Sequence, residues 1–194
     1  RKSFERAVGI EPTFFPAVAS LAGLDIAEKK PEEARKRFET LLAKEPKNGQ
    51  ALLALAELAA RSGAVKEEVA KLINNAVTAN PAEMAPRLLL INFHLNNKDP
   101  KQALSAAQDA QTAVPDSPEL LDALGRAQQA TGDFNQAITT YNKLATLQPL
   151  SPQPHMRMAD VHMAAKNKEA AAQSLRKALE IKPDDRKLLT RLMQ

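Results

Sequence analysis

Prolines recur at positions 12, 46, 81, 115, 149 and 183, separated by 34, 35, 34, 34 and 34 residues. Proline cannot donate a backbone hydrogen bond, and it pushes the residue before it out of helical geometry. A breaker at this interval limits every regular element to less than one period. It makes the chain an array of equivalent units of about 34 residues.

Each proline follows a similar stretch: Val8-Gly9-Ile10-Glu11-Pro12, Leu42-Ala43-Lys44-Glu45-Pro46 and Leu179-Glu180-Ile181-Lys182-Pro183. These read as the ends of the second helix, B, of each unit. A turn separates B from the first helix, A. Lys30-Pro31, Gly63, Lys98-Asp99-Pro100 and Gly132-Asp133 mark the turns. Asp99 reads as an N-cap with Pro100 in the first helical turn. Gly132 reads as a helix-ending glycine, with Asp133 as the next cap. The unit with the 35-residue spacing carries one extra residue, expected near Lys66-Glu67-Glu68.

Apolar spacing agrees with two helices per unit. Helix B carries a small or β-branched residue (Ala34, Val69, Ala103, Ala137, Ala171). Four residues later comes Phe38, Ile73, Ala107, Tyr141 or Leu175. Three further on comes Leu41, Ala76, Ala110, Leu144 or Ala178. That i, i+4, i+7 stripe is a core face. Helix A carries Val18 and Leu21, Leu52 and Leu55, Leu121 and Leu124, or His155 and Met158. The small residues Ala22, Ala56, Gly125 and Ala159 follow, where A and B can touch. The third unit departs, with Arg87 at the large apolar place and Ile91 at the small one.

Leu121, Leu124-Gly125, Gly132-Asp133, Ala137, Tyr141 and Pro149 together resemble the tetratricopeptide (TPR) repeat consensus, and the other units match it more loosely. The resemblance implies an all-α fold, a right-handed superhelical α-solenoid of helix-turn-helix repeats. The expected organisation is a single array over 1–194. Its repeats are 13–46, 47–81, 82–115, 116–149 and 150–183, with partial repeats at 1–12 and 184–194. The chain begins with Arg1 and its outer repeats are cut, so it reads as a piece of a longer protein. Phe4, Val8 and Met193 at the cut ends suggest weak end-to-end self-association.

Composition narrows the function. The chain of 194 residues is 44% hydrophobic and 26% charged, with a net charge of +4 and only 4% aromatics. The charge is spread evenly along the chain, and the densest basic run, Arg35-Lys36-Arg37, stands beside Glu32, Glu33 and Glu39. That pattern is a solvated helix face, so no nucleic-acid partner is expected. Cysteine is absent, which removes disulfides and thiol chemistry. No long apolar run suggests membrane insertion. His155, Met158 and His162 follow core spacing, so they read as packing residues and not as a soft-metal site. The acidic pairs Glu32-Glu33, Glu67-Glu68 and Asp184-Asp185 lie near helix starts, where the helix dipole favours them. No glycine-rich phosphate loop or zinc-protease motif is present. No enzymatic activity, cofactor or metal is expected.

The resemblance places partner binding on a concave groove lined by the A helices, with a protein or peptide as ligand. Residues expected to line it as one surface are Leu53, Glu57, Leu88, Leu89, Asn92, Asp122, Arg126, Met156, Arg157 and Asp160. Leu88 and Met156 are expected to be exposed there. Lys187 and Arg191 match one helix of the clamp by which some TPR domains hold a C-terminal carboxylate. The preceding helices carry Asp122, Arg126 and Arg157 in place of Lys and Asn, so that clamp is incomplete. Ala85-Pro86-Arg87-Leu88-Leu89-Leu90, and Leu124-Gly125-Arg126-Ala127-Gln128 with Gly132-Asp133, are similar to TPR-repeat lipoproteins of bacterial exosortase/PEP-CTERM systems. That similarity implies a lipid-anchored place in the cell envelope, in protein sorting or exopolysaccharide production. The competing expectation is a cytoplasmic TPR adaptor or co-chaperone-like module.

Overall fold

The computed structural model describes residues 1–193, and among these the regular structure is entirely helical. The helices are α1 (Lys2–Ile10), α2 (Phe15–Ala27), α3 (Pro31–Lys44), α4 (Gly49–Arg61), α5 (Lys66–Ala79), α6 (Met84–Asn96), α7 (Pro100–Ala113), α8 (Pro118–Thr131), α9 (Phe134–Leu147), α10 (Gln153–Ala164), α11 (Lys168–Ile181) and α12 (Arg186–Leu192). The chain forms two compact units whose boundary falls within α6, after Leu90. In the first, α2 packs on α3, α3 on α4 and α4 on α5. In the second, α7, α8, α9, α10 and α11 each pack on the next.

The periodic prolines act as their chemistry requires. α1, α3, α5, α7, α9 and α11 end at Ile10, Lys44, Ala79, Ala113, Leu147 and Ile181, each two residues before its proline. The residue between them has left the helical basin, as at Glu45 (φ −126°, ψ 77°) and Gln148 (φ −127°, ψ 63°). That is the geometry a following proline demands.

The turn from A to B needs one left-handed residue, at Lys29, Gly63, Lys98, Gly132 and Lys166 (φ between 56° and 87°). Only two of the five are glycine. The extra residue of the second repeat is in this turn: helix B begins two residues after Lys29 but three after Gly63, and α5 keeps the 14 residues of α3. Asp99 and Asp133 stand at the N-cap places, yet neither side chain accepts a capping bond. The Asp133 carboxylate instead accepts from the Thr131 hydroxyl at 2.6 Å. Asn48, Ser117, Asn167 and Asp185 are the side chains that cap α4, α8, α11 and α12.

Lysine in the left-handed basin stores strain of about 1 kcal/mol per residue. Lys98→Gly is therefore expected to stabilise the chain by about 0.5 kcal/mol, after allowance for the greater entropy of an unfolded glycine. Gly132→Lys is expected to destabilise it by about 1 kcal/mol. Nothing lies within 4 Å of a Cβ added at Gly132, so the cost is one of backbone conformation alone. Urea midpoints of the two variants, moving in opposite directions, check this.

The B-helix stripe is the core. All its members, from Ala34, Phe38 and Leu41 to Ala171, Leu175 and Ala178, are 5% exposed or less. The A helices contribute Val18, Leu21, Leu55, Leu121 and Met158, whereas His155 is only half-buried. Small and large residues alternate between A and B: Ala22 with Phe38, Ala56 with Ile73, Gly125 with Tyr141, Ala159 with Leu175. The third repeat reverses the order, with Ile91 on A and Ala107 on B, both fully buried. The exchange keeps the summed volume close to that of the other pairs, which is what a close-packed interior tolerates best. Arg87 is buried as well, and its Nε donates to the Pro81 carbonyl at 2.8 Å.

Candidate functional site

Charged A-helix residues of the second compact unit pair from one A helix to the next. Each arginine reaches back to the preceding A helix. Arg126 on α8 donates to Asn92 Oδ1 on α6 at 2.8 Å. Arg157 on α10 grips both carboxylate oxygens of Asp122 on α8, at 2.7 and 3.1 Å. Arg191 on α12 binds Asp160 on α10. Gln153 adds a longer contact to Asp122 at 3.4 Å. The helical repeat brings these partners together, since they lie 31 to 35 residues apart in sequence.

Asp122 is shared. Besides the two-point grip of Arg157, its Oδ2 lies 3.2 Å from Arg126 Nε. That approach is misaligned, and Arg126 Nε is buried without a hydrogen-bond partner. Beneath the row stands the Tyr141 hydroxyl, also buried and also unpartnered. Burial pushes the Tyr141 phenol well above its usual range, with Asp122 adding to the rise. Burial pulls the Arg157 guanidinium down, but its bonds to Asp122 outweigh this and leave it raised. His94, His155 and His162 are all lowered by burial.

The first unit presents a different face. Glu57 is exposed and 4.0 Å from Arg61, too long for a strong pair. Leu53 is half-buried. Leu88 and Met156, expected to be exposed, are half-buried. Met156 packs against the core cluster of Ala159, Leu175, Ala178 and Leu188. Leu89 is the exposed leucine, at 39%. The polar residues expected to greet a partner are thus engaged with protein groups: Asp122 with Arg157 and Arg126, Arg126 with Asn92, and Asp160 with Arg191. Sequence reasoning places Tyr141 only in the core, and its orphaned hydroxyl has no sequence signal.

A cavity of about 240 Å³ opens in the first compact unit between Leu55, Leu58, Ala59, Ser62, Arg35 and Glu68. Ala59 takes the place that Asp25, His94, Gln128 and His162 fill with larger side chains in the other A helices. The space suits a single side chain and falls short of a small-molecule site. Among the described residues no group of three or more His, Cys, Asp or Glu could hold a metal, and no helix is long and apolar enough to cross a membrane.

The chain belongs to the tetratricopeptide repeat family: the family's profile matches residues 26–83 and 123–186, more than half of the chain. Solved structures share the fold. YrrB, a TPR protein with an unusual peptide-binding site, has a TM-score of 0.70 at 17% identity, covering 98% of each chain. MamA from Desulfovibrio magneticus RS-1 has a TM-score of 0.66 at 16% identity, covering 87% of this chain and 95% of its own. TTC0263, a thermophilic TPR protein of Thermus thermophilus, has a TM-score of 0.61 at 20% identity, covering 91% and 95%. No curated protein sequence matches significantly.

Proposed function

We propose that this chain is a non-catalytic scaffold that binds a peptide segment of a partner protein on its A-helix faces. The observation that carries this reading is the row of Asp122, Arg126, Arg157 and Asp160, with Asn92 and Met156 beside it. These side chains lie partly open on the A helices α6, α8 and α10, the polar ones paired across neighbouring helices and Met156 resting on the core beside Leu175 and Ala178. In the first unit Leu53, Glu57, Leu88 and Leu89 offer a more apolar counterpart. Likeness to YrrB, a TPR protein with an unusual peptide-binding site, supports a peptide as ligand.

Peptides selected from a displayed library against the purified chain test the reading. Arg126→Glu with Met156→Glu should weaken the selected peptides at least about tenfold, the scale of losing a central contact. Helicity should stay intact. Leu88→Glu with Leu89→Glu tests the first unit separately. Full retention by both well-folded double variants would place the binding site on the B helices.

The cell-envelope reading rests on the stretches 85–90 and 124–133 alone. A lipobox leader in the full gene product would support it, and a gene product without one would favour the cytoplasmic adaptor.

A further inference from the structure

The cavity of the first compact unit has two sources in the sequence, both confined to the second repeat. Its wall is apolar and buried, formed by Leu55, Leu58 and Ala59 of α4. Its mouth is polar, formed by Glu32 and Arg35 near the start of α3 and by Glu68 near the start of α5. In the first and fourth repeats the place of Ala59 is tied to helix B by a polar pair, Asp25 with Arg37 and Gln128 with Thr140. Alanine makes no such bond and leaves the space open. The one-residue insertion falls in the same spot: Gly63 and Ala64 of the lengthened turn line the cavity, and Val65 beside them is 65% exposed. The charges at the mouth do not balance. Two carboxylates, Glu32 and Glu68, stand there with Arg35, the one cation among the described residues that line the cavity. Arg35 donates to Glu68 at 3.2 Å but also to Glu39 at 2.9 Å, outside the cavity. Glu32 is exposed and in no ion pair among the described residues.

We infer that this cavity receives a lysine side chain of a partner protein, its four-carbon stem against Leu55, Leu58 and Ala59 and its ammonium at Glu32 and Glu68. The volume of about 240 Å³ holds one long side chain and is below the size of ordinary small-molecule sites. An apolar side chain would cover the wall but take water from the carboxylates and return no charge. An acidic one would meet like charges. Lysine meets both demands, because its stem buries along apolar surface while its head stays at the wet mouth. Its ammonium is a compact point charge and needs no planar set of acceptors, as a guanidinium does. None of these residues belongs to the proposed A-helix site, so loss of either surface leaves the other standing.

Proton–nitrogen correlation NMR of the purified chain tests this with two blocked pentapeptides, Ser-Gly-Lys-Gly-Ser and Ser-Gly-norleucine-Gly-Ser. Norleucine keeps the stem and lacks the charge. The lysine peptide should shift the amide signals of Ala59, Gly63 and Ala64 saturably, with a Kd on the order of 1 mM, the scale of a single side-chain contact. The norleucine peptide should bind at least about threefold more weakly at low salt, and added salt should narrow the gap. Ala59→Gln fills the place as Gln128 does in the fourth repeat and should abolish the response. Glu32 is exposed, so Glu32→Gln keeps the fold whatever becomes of Ala59→Gln, and it should weaken lysine binding at least about threefold. Glu33→Gln, on the same helical turn but outside the cavity, should change nothing. Absence of shifts at those amides with the lysine peptide at about tenfold the expected Kd would overturn the assignment. Equal binding of the norleucine peptide would overturn it too, as would lysine binding unchanged in Glu32→Gln or in a folded Ala59→Gln.

Discussion

Gly125→Ala is expected to destabilise the chain by about 3 kcal/mol, although alanine is the better helix former by about 1 kcal/mol. A Cβ at position 125 would stand 2.5 Å from Tyr141 Cε1 and nearer still to Cζ, far inside contact distance. Tyr141 is fully buried among Leu121, Ala137, Leu144, Met158 and Val161, so its ring has nowhere to withdraw. The added methyl group must therefore push α8 from α9 or force the ring off its rotamer. The sign of the effect is the diagnostic part, since an unobstructed helical glycine would give the opposite result. Tyr141→Leu should rescue it. The chain already uses alanine with leucine at the equivalent places, Ala159 and Leu175, both buried. Tyr141→Leu alone should cost about 2 kcal/mol through the cavity it leaves. Gly125→Ala with Tyr141→Leu should then be more stable than Gly125→Ala alone, by urea or thermal unfolding. A double variant whose two losses simply add would show that residues 125 and 141 do not meet as described.

Asp25→Ala is the second large effect, expected at about 2 kcal/mol. Asp25 is 2% exposed, on α2, and its carboxylate is bound by Arg37 of α3 and by Arg1 at 2.9 Å. A buried carboxylate is tolerated only because these guanidiniums satisfy it. Removing it leaves two arginines, but both are about one-third exposed and can be rehydrated in part. That keeps the loss below the full cost of breaking a buried pair. The hydrogen bond from Arg37 holds the Asp25 carboxyl below its ordinary value of 3.8, against the opposing effect of burial. A lowered folded pKa means the stabilisation is complete above the unfolded value of 3.8 and fades as pH falls through the folded value. The gap in stability between wild type and Asp25→Asn should therefore be constant from neutral pH to about pH 5 and close below pH 4. A gap that closed above pH 5 would assign the effect to another group. Arg37→Ala should lower stability too, and a double-variant cycle with Asp25→Ala should give a coupling of about 1 kcal/mol or more.

Much of the architecture was legible in local rules. The prolines marked the ends of the B helices. The i, i+4, i+7 stripe named the core face down to Ala107. The extra residue was expected beside Lys66 and is found in the turn just before it. Where local rules failed, another interaction was stronger or was chemically hidden. Asp99 and Asp133 occupy cap places without capping; the Asp133 carboxylate takes the Thr131 hydroxyl instead. Lys29, Lys98 and Lys166 take the left-handed turn that glycine normally marks, so only two of the five turns announced themselves by glycine. Leu88 and Met156 carry no local sign of how far their neighbours cover them.

The candidate site divides the same way. Periodicity alone assigns Asn92, Asp122, Arg126, Arg157 and Asp160 to A helices, because the repeat of proline and apolar stripe fixes which face of each helix is spoken for. Backbone constraints of that kind act within a few residues and can be read along the chain. The pairing of Arg157 with Asp122, the misfit of Arg126, the stranded Tyr141 hydroxyl and the burial of Asp25 are decided by tertiary structure. Each depends on the separation and rotation of helices whose partners lie 12 to 35 residues apart. Charges of both signs spread evenly along a sequence look like a solvated face until packing sets which side chains meet, and over what distance.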